Sequence, residues 1–314
     1  MHILDAQQTA AALPYAQLVD ALETAAQEFA CGRIRAPERQ VVPIDASSVL
    51  LGMPAIADDL SVTKLITVHA ENGRHNLPAI QGEVVAFDTH TGRRIALMDG
   101  PTVTGRRTAA MTMLGIKTLL PRAPRSALLI GTGVQAAAHA DALVQYFGVS
   151  QFWIAARDLA RTQAFCSALC ERHPQVVASP LPAAMLQQDL PHTDVLIALT
   201  TSRTAVIPEQ VAPDTLAIGV GAFKPDMVEF PASLLHARAI VVDDVGGAHY
   251  EAGDLIQAKV DWNRVAAIGD VLSGKVGRAT LDVNGALPVF KTVGQASWDL
   301  AAARVMRAVP GLTH

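Results

Sequence analysis

The stretch Ser126-Ala-Leu-Leu-Ile-Gly-Thr-Gly-Val-Gln-Ala-Ala-Ala-His-Ala-Asp-Ala-Leu143 decides the fold. Ala127–Ile130 is a short apolar run of strand type. Gly131-Thr132-Gly133-Val134-Gln135-Ala136 follows at once, and a helix-forming run starts without a gap. Strand, glycine turn and helix in this order form the dinucleotide-binding fingerprint, with Ala136 at its third small position. Gly131 permits the sharp turn, Gly133 lets the backbone approach a pyrophosphate, and Ala136 lets the helix pack close to the strand. Unpaired N–H groups at the helix start then face the anion. A plain βα turn in an α/β protein has the same outline; the flanking strand and helix favour the nucleotide reading.

Downstream, strands are predicted at 127–130, 151–155, 194–199, 215–220 and 239–243, and helices at 134–147, 158–173 and 182–189. That alternation implies a Rossmann-type, doubly wound parallel sheet. Upstream the pattern differs. Residues 1 to 30 read as helical, with Asp5 placed to cap a short helix and Leu18, Leu22 and Ala25 at helical spacing. Strands are predicted at 40–44, 48–54, 61–68, 82–87 and 94–98, with a turn at Thr91-Gly92. This is a strand-rich unit without βαβ alternation. A small-residue helix is expected over 105–119, a linker at Pro121–Pro124, and a final helix over 293–309 with Ala296, Leu300 and Val305 on one face.

Composition narrows the function. The chain has 314 residues, half of them hydrophobic, and a formal charge of −4, which gives no electrostatic case for nucleic acid or an anionic membrane. Cys31, Cys166 and Cys170 are a sparse, odd set that suits a reducing compartment; Cys166 and Cys170 read as buried thiols. The N-terminus lacks a basic segment before an apolar core, and no run approaches the ~18 apolar residues of a bilayer span, so a cytoplasmic protein is expected. His69, Glu71 and His75 have no metal-site spacing, and no metal is expected.

The second strand of the nucleotide unit ends in Ala156-Arg157-Asp158, with Arg161 one turn on. An acidic strand tip would bind ribose hydroxyls, whereas an Arg there suits a 2′-phosphate. Asp158 reads as the N-cap of the next helix. NADPH is therefore expected, with NADH allowed; a plain surface role for Arg157 stays open. Lys64 lies inside the apolar strand Ser61–Val68 and must find a partner or face a cavity. Arg107 opens the small-residue helix. A Lys point charge and an Arg fork together can hold an anionic group, and a structural ion pair is the alternative. Arg33, Arg35 and Arg39 read first as a solvated edge. Asp226 with Glu229 reads as a capping box, Asp243-Asp244 as capping or turn residues, Asp254 and Asp270 as turn formers, and His139 as a packed or surface histidine.

Taken in order, Lys64 in TKLITV, Arg107 in GRRTAA, the GTGVQA turn, Thr200-Thr-Ser202, GVGAFKPDMVE at 219–229, Glu251-Ala-Gly-Asp254-Leu and Phe290-Lys-Thr-Val-Gly294 resemble the ornithine cyclodeaminase/mu-crystallin family over about residues 30 to 300. The resemblance implies a homodimer. It also implies a substrate-binding and dimerisation domain from both chain ends, 1–120 with 293–314, and a nucleotide domain at 121–292. Arg39, Lys64 and Arg107 would line the substrate site, with Arg107 close to the cofactor as well. Thr132, Val134, Gln135, Arg157, Thr200, Val220 and Thr292 match positions near the cofactor. One position departs from the pattern. Cyclodeaminases and alanine dehydrogenases of the family carry an Asp two residues after Gly221, where this chain has Phe223. Deprotonating an ammonium and expelling ammonia both want a carboxylate. The loop instead resembles the ketimine reductase branch. That implies reduction of Δ1-pyrroline-2-carboxylate, with Δ1-piperideine-2-carboxylate as a second substrate, to L-proline or L-pipecolate. The competing expectations are an ornithine cyclodeaminase or amino-acid dehydrogenase, and a nucleotide-dependent binding protein without important turnover.

Overall fold

The computed structural model describes residues 1–188 and 190–311. In chain order the first elements are β1 (His2–Leu4), α1 (Ala6–Ala12), α2 (Tyr15–Ala30), β2 (Gln40–Pro43), β3 (Ser48–Ile56), β4 (Leu60–His69), β5 (Ile80–Asp88), β6 (Arg94–Asp99) and α3 (Gly100–Leu119). Next come β7 (Ser126–Ile130), α4 (Val134–Ala142), β8 (Gln151–Ala156), α5 (Leu159–Arg172), β9 (Val177–Pro182), β10 (Val195–Ala198) and β11 (Leu216–Gly219). The remainder is α6 (Ala232–Ala237), β12 (Ile240–Val242), α7 (Val245–Glu251), α8 (Gly253–Ala258), β13 (Val265–Ala267), α9 (Ile268–Leu272), α10 (Arg278–Leu281), β14 (Val289–Lys291) and α11 (Ala296–Arg307). The chain forms two compact units, Met1–Ala110 with the segment from Gly294, and Met111–Val293. The first boundary falls inside α3, which runs unbroken past it, rather than at the prolines of the 121–124 loop.

The first unit is built on a six-stranded sheet of order β1-β6-β5-β4-β3-β2, antiparallel except for the β1–β6 pair. β1 is a correction: residues 2–4 are strand, where helix was expected, because three residues are too few to show a period. α1 starts as read, with Asp5 accepting from Gln8 N and Gln8 reaching back to Asp5 N. Side chains alternate along β4, so Leu60, Val62, Lys64 and Ile66 share the buried face. α11 packs on β3, β4 and α2 and is buried along most of its length. α3 starts at Gly100, five residues earlier than expected, because Asp99 caps it by accepting from Thr102 N at 2.8 Å. The other sheet face carries Leu50, Ile56, Leu65, Val85 and Leu97; Leu65 is 51% exposed and Ile56 38%.

The second unit holds an eight-stranded, all-parallel sheet of order β13-β12-β14-β11-β10-β7-β8-β9. From β7 the chain adds β8 and β9 on one side and β10 and β11 on the other. This is the Rossmann order, with its switch point beside β7. The expected core strands are present, and three were not foreseen. β9 contains Pro180 and Pro182, which only an edge strand tolerates. β13 and β14 are three residues each. Where a helix was expected over 182–189, β9 ends and only a 3₁₀ turn follows at Ala183–Gln187; residue 189 lies outside the described residues. The helix expected to continue to 147 is α-helical to Ala142 and then widens to a π turn over Leu143–Phe147.

Inside the second unit α3 packs closely on β14. A Cβ on Gly115 would lie 2.5 Å from the Phe290 ring, which is fully buried. Gly115→Ala is expected to lower the stability of this unit by about 1–3 kcal/mol, the usual cost of overpacking. Chemical denaturation checks this; an unchanged midpoint would show that the ring has room to move.

Candidate active site

The nucleotide turn is built as its glycines dictate. β7 ends at Ile130, and Gly131 takes φ +125°, where a Cβ would lie 2.7 Å from the Leu199 carbonyl oxygen. A side chain is therefore excluded twice, by conformation and by space. Gly133 is the N-cap of α4 and offers no side chain to its first turn, so the N–H groups there are left for another acceptor. No atom lies within 4 Å of a Cβ placed on Gly133, and Val134 is 80% exposed. This open, donor-rich helix start fits a dinucleotide pyrophosphate. Thr132 and Gln135 are half-buried beside it. His139 is buried, its Nδ1–H donating to Gln135 O at 2.7 Å, so Nε2 accepts from the Thr112 hydroxyl at 2.9 Å. Burial pushes its pKa down to about 4, which keeps this histidine neutral and structural. At the tip of β8, Asp158 caps α5 by accepting from Arg161 N, leaving Arg157 exposed and no carboxylate on Ala156.

Thr200, Val220 and Thr292 sit just beyond the carboxyl ends of β10, β11 and β14, where ligands bind open α/β sheets. Sequence reasoning missed what holds these ends. Glu229, expected in a capping box with Asp226, is fully buried and caps no helix; α6 starts only after Pro231. One Glu229 oxygen accepts from the Thr200 N–H (2.6 Å) and hydroxyl (3.0 Å), the other from Gly221 N (2.7 Å) and Ala222 N (3.2 Å). Asp226 instead forms an exposed ion pair with Arg203. Asp254 is likewise a correction: it lies buried in α8, accepts from the Glu229 and Phe230 N–H groups, and pairs with buried Lys291 at 3.1 Å. Burial pushes the Glu229 carboxyl up, with neighbouring Asp254 adding to the effect. Asp243 accepts from the Thr292 hydroxyl at 2.6 Å and Val293 N at 2.9 Å, while Asp244 caps α7. Phe223 is half-buried in the loop after β11, with Lys224 Nζ 5.8 Å from its ring.

The first unit gathers the other expected residues. Lys64 is 1% exposed and meets Asp299 of α11, its Nζ 2.9 and 3.2 Å from the two carboxylate oxygens. The same carboxylate lies 3.3 Å from Arg107 Nε. Arg107 Nη1 and Nη2 lie toward Gly294, where a Cβ would be 2.5 and 3.1 Å away; Gly294 takes φ +74°. The Gly294 carbonyl accepts from Arg39 Nη2 at 2.8 Å, so Arg39 leaves the solvated edge where Arg33 and Arg35 remain. Burial, against the pull of Asp299 and with the push of Arg107 and Arg39, brings Lys64 down to about 8. Lys64 and Arg107 are both buried against the Asp299 carboxylate with Arg39 nearby, a set of cationic donors suited to an anionic ligand. Asp299 was not anticipated. Its signal was the demand of a buried Lys for a counter-ion, met by an acid in the apolar stripe of the last helix.

The parallel strand order, the glycine turn and the bare start of α4 define a dinucleotide-binding α/β protein. Residues 2–309 match the model of the ornithine cyclodeaminase/mu-crystallin family, and the chain belongs to that family. It is 46% identical over 305 residues to the Delta(1)-pyrroline-2-carboxylate/Delta(1)-piperideine-2-carboxylate reductase of Azospirillum brasilense, covering 97% of this chain and 94% of that one. Among solved structures it is similar to the Delta(1)-pyrroline-2-carboxylate reductase of Thermococcus litoralis in complex with NADH and L-proline. The TM-score there is 0.87 at 22% identity, with 98% and 96% of the two chains covered. It is also similar to an archaeal alanine dehydrogenase dimer with bound NAD, at TM-score 0.85 and 25% identity, with 98% and 94% covered.

Glu229→Gln keeps the size but turns an amide NH₂ toward N–H donors that now meet an oxygen. The variant is expected to lose about 2 kcal/mol of stability, the cost of stranding buried donors. Chemical denaturation measures it; a loss within experimental error would show that the loops hold without the carboxylate.

Proposed function

We propose that this chain reduces cyclic ketimine carboxylates, Δ1-pyrroline-2-carboxylate to L-proline and Δ1-piperideine-2-carboxylate to L-pipecolate, with NADPH preferred over NADH. The cationic cluster of buried Lys64 and Arg107 with half-buried Arg39 carries the reading. The name of the Azospirillum relative, at 46% identity over nearly the whole chain, supports it. Arg107 presents a fork that suits a carboxylate in two-point contact, and Lys64 and Arg39 add point charge around it. Gly131, Thr132, Gly133, Val134, Gln135, Arg157, Thr200, Val220 and Thr292, with Arg107, are the residues assigned to the cofactor. A bound nicotinamide supplies the hydride that adds to the ring carbon, and the C=N electron pair moves to nitrogen. The residues' task is positioning: a cyclic iminium is already electrophilic, so holding the ring by its carboxylate supplies most of what the reaction needs. Phe223 occupies the sequence position at which cyclodeaminases and alanine dehydrogenases of the family carry an Asp. An apolar side chain at that position supports a reaction that needs no base for ornithine or alanine.

The cofactor preference rests on Arg157 and on Ala156 at the β8 tip. NADPH oxidation by the purified protein is expected with both cyclic imines, and no ammonia release from ornithine or alanine with NAD. Arg157→Ala is expected to cost about tenfold in kcat/KM for NADPH, in keeping with loss of one charged hydrogen bond, and to leave NADH unaffected. Absence of imine turnover, or ammonia release from ornithine, would sink the assignment.

We further propose a homodimer through the exposed apolar sheet face that includes Leu50, Ile56, Leu65, Val85 and Leu97. Exposed Leu65 and Ile56 on one sheet face, with half-buried Leu50, Val85 and Leu97 beside them, suit an association surface. Leu65→Glu is expected to shift the protein from dimer to monomer in analytical ultracentrifugation; a native monomer would refute the proposal.

A further inference from the structure

We propose that Asp299 is the positioning residue of the cationic cluster: it holds Lys64 as an ammonium beside Arg107, so that Lys64 can hand a proton to the imine nitrogen. The substrate named here rests on the function proposed above; the state of Lys64 does not. Asp299 is fully buried, and its two oxygens lie 3.2 and 2.9 Å from Lys64 Nζ. The carboxylate also lies 3.3 Å from Arg107 Nε. It therefore fixes the two cations side by side, and it takes the Nε edge of Arg107 while the Nη edge lies toward Gly294.

The surroundings make Asp299 decisive. On its own strand Lys64 shares the buried face with Leu60, Val62 and Ile66. Its cross-strand neighbours are Met53 on β3 and Val84 on β5, both buried and apolar. α3 contributes Arg107, and the segment before β2 contributes Arg39, two charges that repel an ammonium. On α11 the neighbouring polar residues Gln295 and Ser297 are neutral. Among the described residues, Asp299 is the carboxylate that opposes burial and both guanidiniums at this lysine. A guanidinium cannot shed its proton under these conditions, but a buried amine can. Removing the carboxylate thus shifts Lys64, and not Arg107, toward its neutral form.

A proton source matters at pH values where the imine arrives neutral. The Nζ–H bond of Lys64 breaks, and its proton goes to the imine lone pair. The hydride of the proposed reaction then adds to the ring carbon, and the C=N pair becomes the nitrogen lone pair. The neutral Lys64 amine regains a proton from solvent. One proton and one hydride are added across the double bond, and Asp299 stays ionised throughout.

The test has one readout that needs no turnover. In the protein labelled with ¹³C-lysine, NMR follows the titration of Lys64, assigned with Lys64→Met. The native signal is expected to titrate near pH 8. In Asp299→Asn it is expected at least about one unit lower, the usual effect of losing a neighbouring opposite charge. The second readout is the pH profile of kcat/KM with Δ1-pyrroline-2-carboxylate. Its basic limb is expected to fall by the same amount in Asp299→Asn and to stay in place in Asp299→Glu, which retains the charge. If Asp299→Asn does not fold, the Lys64 titration in Asp299→Glu decides: a native value supports the proposal, and a value about one unit lower overturns it. An Asp299→Asn limb that stays put, as one owed to the imine itself would, also overturns it, as does an unchanged Lys64 titration. A native protein that reduces no cyclic imine would refute the proposed function instead, and the NMR titration would still judge Asp299.

Discussion

A buried charge must be paired, and in this protein that constraint shapes the first unit. Lys64 points inward from β4 because its position in the strand gives it no other choice: a shift of one residue would expose Leu60, Val62 and Ile66 together. Taking an ammonium out of water costs several kcal/mol unless a partner waits for it. The partner comes from the other end of the chain, on a helix whose other buried residues are Ala, Ser, Trp, Leu, Val and Met. Pairing Lys64 with Asp299 thus helps bring the C-terminal helix onto the N-terminal sheet. The same contact draws in Arg107, and Arg107 in turn requires that residue 294 lack a side chain. One lysine in one strand accounts for a glycine, an arginine and an aspartate far apart in sequence.

The second unit applies the same constraint to backbone groups. The loops after β10 and β11 leave N–H donors at the carboxyl edge of the sheet, and donors cannot stay unpaired once buried. Glu229 collects them from Thr200, Gly221 and Ala222, Asp254 collects the next two, and Lys291 at the end of β14 balances the carboxylates. The chain of contacts ties three strand ends to one another. Rigid loops there suit a fold whose ligands bind at strand ends, because a loop already in place loses little entropy when a ligand arrives.

Much of this was legible in the sequence, and the failures share a cause. The glycine turn, the strand that holds Lys64, the Asp5 and Asp158 caps and the strand–helix alternation of the parallel unit all depend on residues near one another in the chain. Lys64 and Arg107 stood out because a charge in an apolar or small-residue run is anomalous on its face. Glu229 and Asp254 did not stand out. Each lies beside residues that make turn or capping chemistry the local expectation, and only the fold shows that their donors sit on other loops. Asp299 was hidden for the same reason: in a helix an acid is ordinary until its face is known to be buried. The three-residue strands β1, β13 and β14 escaped because pairing, not periodicity, defines them.

The two buried lysines sit in clusters of different composition. Both pair with an aspartate, and both are almost wholly removed from solvent. What differs is the set of charges around each. Around Lys291 stand Asp254 and Glu229, two carboxylates to one ammonium, so the cluster repels an anion and its acceptors are spent on backbone N–H groups. Around Lys64 stand Arg107 and Arg39, and among the described residues Asp299 is the carboxylate that acts on it. Gathering cations in a buried setting is costly for folding alone. On the proposed function, the ligand's carboxylate is the anion this cluster would take.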